Sequence, residues 1–277
     1  MEMVQAKVIA LLAAACICLT AGAQSYDWKK IPADASRTGV SIPGTENISE
    51  ALGTIENGVY TAPNGRRYRG TVAWVAQILM EAQIEMAPVK ELVGRTDHEM
   101  LREKPECELS NLIVDCVMAR TAEATGRHVD VGLCNFGGIR VDFPKGDILM
   151  DDVMSMLPFK NKLCYVELKG KDLRALYEQL ARDGMQVVGG VQLVVKDHKL
   201  VSATIGGKPL DDRKTYGLAT IDFLLTGGDG ISAARNALDL VETDIMIRDA
   251  VLPYLQDLTE EGKLISYHTD GRVQILP

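Results

Sequence analysis

Val129-Asp130-Val131-Gly132-Leu133-Cys134-Asn135-Phe136-Gly137-Gly138-Ile139-Arg140 passes from an apolar stretch into a paired-glycine turn and then an arginine. The first six residues read as a short strand. Gly137 and Gly138 carry no Cβ, so backbone N–H groups at the end of that strand can come close to a ligand. Arg140 adds a fork of donors suited to an anion. Taken alone, the same residues also describe an ordinary tight turn.

Around this stretch the periodicity is mixed. Residues 71–86 place Val75, Ile78, Leu79 and Ala82 at helical spacing, with Thr71 as the expected cap. A second helix is expected over residues 110–125, capped by Ser110 and stopped by Gly126. A third, over residues 171–183, should bury Leu173, Leu176, Tyr177 and Leu180. Three β segments follow, over residues 186–195, 200–205 and 215–220, separated by Asp197-His198 and Gly206-Gly207-Lys208-Pro209. A last helix over residues 243–260 and a strand over 272–276 complete the pattern. Irregular alternation of this kind predicts an α+β fold, a mixed β-sheet flanked by helices, over residues 71–277.

Two segments precede that domain. Residues 1–23 hold Lys7, an apolar run over 8–20 and the small-x-small pattern Ala21-Gly22-Ala23, which reads as a signal peptide and predicts export to the periplasm or beyond. Residues 24–70 read as an extended arm ending in a hairpin, where Val59-Tyr60-Thr61 and Arg67-Tyr68-Arg69 flank the turn Pro63-Asn64-Gly65. Arg66, Arg67 and Arg69 suit a solvated strand face, or a docking surface for another protein.

The net charge of −8 argues against a nucleic-acid or anionic-membrane partner, which requires a clustered basic face. No apolar run reaches the roughly 20 residues of a membrane span. Beyond the leader, Cys107, Cys116, Cys134 and Cys164 form no C-x-x-C pair. The last three sit in apolar runs and are expected as free buried thiols.

The chain has four phenylalanines, Phe136, Phe143, Phe159 and Phe223, and all lie in or beside three loop-forming segments, not in the amphipathic helices. Two rings across a cleft would stack an aromatic base; Phe159 could equally pack into the core. In Thr226-Gly227-Gly228-Asp229-Gly230, Asp229 could accept hydrogen bonds from ribose hydroxyls or cap its own turn.

Asn135-x-Gly-Gly-Ile-Arg140, Pro158-Phe159-x-Asn161, Gln186-Val-x-Gly-Gly190 and Phe223-x-x-x-Gly-Gly-Asp-Gly230, in this order and spacing, resemble the C-terminal domain of 5'-nucleotidases. The resemblance implies a substrate-recognition domain. Phe159 and Phe223 would stack the base, and Asp229, Asn135 and Arg140 would bind the ribose, with Gly137, Gly138 and Gly228 shaping the site. The stretch from Arg102 to Leu112 resembles the family's approach to its first helix, but Glu103 stands where the family tends to have arginine and Arg102 is one place off.

In that family hydrolysis belongs to a separate N-terminal metallophosphoesterase domain with two metal ions. Here His98, His128, His198 and His268 are scattered with no D-x-H or G-N-H-D/E setting, and His98-Glu99-Met100-Leu101-Arg102 misses the zincin pattern at its second histidine. His98 reads as a solvated or capping residue. No G-x-S-x-G elbow or phosphate-binding G-K-S/T loop occurs. The expectation is a nucleoside- or nucleotide-recognition domain with no catalytic residue, metal ligand or cofactor of its own. It would work with a metallophosphoesterase made as a separate chain, on which the divalent metals would sit. The alternative is a periplasmic nucleoside-binding protein acting alone.

Overall fold

The computed structural model describes residues 43–277, so the expected leader and the first part of the arm lie outside the described residues. The described chain opens with α1 (Ile48–Leu52) and a three-stranded antiparallel sheet of β1 (Thr54–Glu56), β2 (Val59–Thr61) and β3 (Arg67–Tyr68). The expected hairpin is the β2–β3 pair. Gly65 turns it at φ 80°, and Arg66, Arg67 and Arg69 are exposed.

α2 (Thr71–Glu85) departs from expectation in two ways. Its N-cap is Gly70, with no side-chain cap bond, so Thr71 is the first helical residue and caps nothing. The apolar stripe also faces the other way: Val75, Ile78 and Leu79 are 43%, 44% and 50% exposed, while Ala73 and Ala76 are the buried residues. α1 and β2 pack against α2, and the side turned inward is lined by small alanines that permit close approach. Periodicity marks a stripe, but cannot say which side of the helix finds a partner.

A single 3-10 turn (Ala87–Lys90) leads into β4 (Leu92–Thr96), α3 (Glu108–Thr125), β5 (Val131–Cys134), β6 (Gly146–Leu149) and α4 (Met150–Met156). Next come β7 (Lys162–Lys169), α5 (Gly170–Asp183), β8 (Val187–Gly189), β9 (Val191–Lys196), β10 (Lys199–Ile205) and β11 (Lys208–Pro209). β12 (Thr215–Ile221), β13 (Asp239–Met246), α6 (Ile247–Glu260) and β14 (Val273–Leu276) complete the chain.

The central five-stranded sheet has the order β13-β7-β12-β5-β8. It is mixed, as expected: β12 runs parallel to β5, and the other neighbours are antiparallel. A four-stranded sheet, β11-β10-β9-β14, and the β4–β6 pair stand beside it. α3 can lie close on β5 and β8 because Gly132 and Gly189 face it. A Cβ at Gly132 would come within 2.6 Å of Val114 Cγ2, and one at Gly189 within 2.7 Å of Met118 Sδ. Leu109, Leu112, Ile113 and Val117 of α3 are fully buried, each worth about 1.5–3 kcal/mol of burial.

Other departures have local causes. The segment expected as one strand over 186–195 breaks at Gly190, which has φ 69° and sits where a Cβ would come within 2.2 Å of Asp130 O. The two halves join different sheets. The helix expected from residue 243 begins at Ile247, because residues 239–246 alternate in burial and pair with β7. α3 is capped not by Ser110 but by Cys107, whose Sγ accepts from Ser110 N at 3.3 Å while Ser110 Oγ accepts from Cys107 N at 3.0 Å. Gly126 ends α3 in the left-handed region, as expected. Cys107, Cys116, Cys134 and Cys164 are all free and buried.

Candidate functional site

β5 and β12 run parallel side by side, and a buried hydrogen bond from Thr220 Oγ1 to Leu133 O, 2.9 Å, ties them near their carboxyl ends. Both strands therefore deliver loops to the same edge of the sheet, the place where sheets with parallel strands hold ligands. From β5 the chain passes through Asn135 into a 3-10 turn over Phe136–Gly138. From β12 it passes through Asp222–Leu224 and then Gly228–Gly230.

Asn135 joins the two loops across 94 residues: its Nδ2 donates to Asp229 Oδ2 at 2.8 Å. Its Oδ1 is buried and accepts from no donor among the described residues. A buried acceptor without a partner costs about 1–3 kcal/mol, so a ligand donor arriving there would recover much of that cost. A Cβ at Gly138 would lie 2.8 Å from Asn135 Oδ1, so a larger residue there would displace that amide. Gly228 is under a stronger constraint: its Cβ would fall 2.1 Å from Phe223 O and 2.7 Å from the Phe223 ring. Asp229 takes φ 50°, a conformation that asparagine and aspartate tolerate better than most residues.

The four phenylalanines separate into two pairs. Phe136 and Phe143 are buried, whereas Phe159 and Phe223 are 45% and 42% exposed. Phe159 therefore does not pack into the core. α4 ends at Met156, Leu157 is buried and anchors the turn, and the Phe159 ring is left projecting. The Arg140 guanidinium lies 5.9 Å from the centroid of that ring, and its Nη1 donates to Gly137 O at 3.2 Å.

Asn135, Gly137, Arg140, Phe159, Asn161, Phe223 and Asp229 line one cavity of about 260 Å³. All of these except Asn161 are site residues expected from the sequence, where Asn161 is visible only as part of a motif. Gly138 instead borders a narrow apolar recess beside the cavity, and Gly228 lies against the Phe223 ring. Two residues that the sequence does not mark as site residues hold the loops from outside: Gln186 Oε1 accepts from Phe136 N at 2.9 Å, and Gln179 Nε2 donates to Gly230 O at 2.8 Å. Arg102 Nη1 donates to Ile139 O at 2.8 Å and so braces the glycine loop.

Among the described residues, no cysteine, serine, threonine, lysine or histidine lines the cavity. Burial pushes the Cys134 thiol, at the end of β5, up to about 12, and burial, reinforced by Asp222 and Glu242, does the same to Cys164. His98 lies elsewhere, bridging Asp97 at 2.6 Å and Glu108 at 2.7 Å, which ties the β4–α3 connection to the first turn of α3. Among the described residues, no three His, Cys, Asp or Glu side chains converge as metal ligands. These residues do not fit a two-metal centre.

Residues 92–236 match the family model for the 5'-nucleotidase C-terminal domain. Protein UshA of Escherichia coli K12 is 32% identical over 145 residues, which cover 50% of this chain and 26% of UshA. The apyrase of Tabanus yao is 28% identical over 243 residues, covering 72% of this chain and 44% of the apyrase. Among solved structures, a 5'-nucleotidase precursor from Thermus thermophilus superposes with a TM-score of 0.63 at 26% identity, over 78% of this chain and 45% of that one. The chain thus spans about a quarter of UshA and under half of the other two. It belongs to the 5'-nucleotidase C-terminal domain family, and the match includes every segment that builds the cavity.

Proposed function

We propose that this family member holds a nucleoside or nucleotide in the Phe159–Phe223 cavity and presents it to a metallophosphoesterase made as a separate chain. The observation that carries the reading is that two half-exposed rings share one cavity with the buried Asn135 amide and the exposed Asp229 carboxylate it is bonded to. Stacking on Phe159 and Phe223 suits a planar base without selecting among bases. Asp229 Oδ2 is occupied by Asn135, which leaves Oδ1 to accept from ribose hydroxyls, while Asn135 Oδ1 can take one further donor. Arg140, exposed at the rim, suits a phosphate.

In this reading the chain supplies recognition and orientation, and the divalent metals and the hydrolytic step belong to the partner. The apolar run and small-residue pattern of residues 1–23 support export, with the complex working in the periplasm or outside the cell. No helix among the described residues is long and apolar enough to cross a membrane.

Titration calorimetry with adenosine, uridine and AMP is the direct test, run with and without a candidate phosphoesterase. Saturable binding that also raises the partner's turnover of AMP is the expected result. No binding in either setting rejects the proposal. Tight nucleoside binding with no effect on any phosphoesterase would favour a nucleoside-binding protein acting alone.

A further inference from the structure

α2 is apolar around most of its circumference, yet it packs chiefly on α1, β2 and the turn that follows it, and none of its residues enters the main core. Its outward face carries Trp74, Val75, Ile78 and Leu79, with Trp74 63% exposed. Trp74 with Ile78 and Val75 with Leu79 are i, i+4 pairs, so the four form two adjacent rows on one exposed side of the helix. From Trp74 to Leu79 the seam covers about 8 Å of a 15-residue helix.

Charge is divided between its ends. Arg66, Arg67 and Arg69 precede the helix, all exposed and without an ion pair among the described residues, while Glu81 and Glu85 flank the seam near its C-terminal end. Lys90, the next cation along the chain, is held by Asp151 and does not offset them. A helix that is basic at one end and acidic at the other is self-complementary when a second copy lies antiparallel to it.

We propose that α2 pairs antiparallel with α2 of a second copy of this chain, about a twofold axis passing near Ile78. In that register Trp74 of one copy lies opposite Ala82 of the other, large against small, and Glu85 of one helix lies opposite Thr71 of its neighbour, within side-chain reach of the neighbour's Arg69. The two helix dipoles also oppose favourably. The interface uses none of the cavity residues, so it is independent of what the cavity holds.

Sedimentation equilibrium of the purified chain tests this, with a dimer expected at micromolar concentration. Ile78→Glu should give a monomer with an unchanged far-UV circular dichroism spectrum, because Ile78 is not part of the fold's core. Arg69→Glu should weaken the dimer, and adding Glu85→Lys to the same chain should restore it. A wild-type chain that stays monomeric into the hundreds of micromolar overturns the proposal. So does a dimer that survives Ile78→Glu, a charge swap that fails to restore association, or a mass that rises only when a phosphoesterase is added.

Discussion

Two carboxylates in this molecule are each held by a nitrogen donor from a distant part of the chain, and they differ in what is left over. Asp115 on α3 receives Arg272 through Nη1 at 2.7 Å and Nη2 at 2.8 Å, and Tyr267 also donates to it. Arg272 turns its Nε and Nη2 to Asp270 at 3.0 and 3.2 Å. Asp229, by contrast, receives one bond from Asn135, whose own Oδ1 has no partner among the described residues. The Asp115 cluster borders the larger opening, a cleft of about 540 Å³ between α3 and α6, against about 260 Å³ at Asp229. Cavity size therefore points the wrong way. Under the proposed function, unused hydrogen-bonding capacity beside half-exposed aromatic rings is what suits the smaller opening to a ligand, whereas the saturated ion pair at the larger one is a structural tie.

If that division is right, the two clusters should fail differently. Arg272→Ala should have the largest effect, on stability. Its side chain is 9% exposed, and its loss strands Asp115, which is 33% exposed. About 3 kcal/mol should be lost in urea unfolding, the low end for breaking a buried pair because part of Asp115 still meets water. Nucleoside affinity of the molecules that remain folded should not change, and a parallel loss of affinity would show that the clusters are not independent.

Phe159→Ala and Phe223→Ala should do the reverse. Each should cost about 1–3 kcal/mol of binding, a tenfold loss for every 1.4 kcal/mol or so, with the urea midpoint nearly unmoved because the rings are half-exposed in the free protein. A large stability loss without an affinity loss would return these rings to the role of packing residues.

The smallest effect concerns His98, whose imidazole is raised above its ordinary 6.5 chiefly by hydrogen bonding to Glu108 and then to Asp97. A raised folded value means that the stabilisation is fully present below pH 6.5 and fades as the pH climbs through the raised value. His98→Gln should thus cost slightly more stability in acid, below the ordinary imidazole range, than in base, above the raised value. Equal costs on both sides would remove the charged bridge from the account.

The cavity is more legible in the sequence than the scaffold around it, for physical reasons. Paired glycines, a positive-φ aspartate and phenylalanines set apart from the amphipathic helices each break a local rule, and broken rules show in a sequence. Asn161 and Gln186 break none, and they are visible only inside motifs. The stripe Val75, Ile78, Leu79 is legible as a stripe, but its direction depends on where α1 and β2 fold back. β7 is apolar and rich in strand-forming residues, yet its place between β12 and β13 rests on long-range pairing that a short window does not contain. Cys107 takes the cap expected of Ser110 because the two side chains share the job three residues apart.

The hydrogen bond between Asn135 and Asp229 also sets a schedule. Its partners are 94 residues apart, and the strands that bring them together must pair in parallel across a long crossover, a slow kind of contact to make. During synthesis, no chain still short of Asp229 possesses the pocket. A bound nucleoside would accordingly stabilise only chains in which β5 and β12 have met, by about 2.7 kcal/mol at a hundredfold excess over its dissociation constant. The small molecule this domain is proposed to recognise would then also report that these two distant strands have paired.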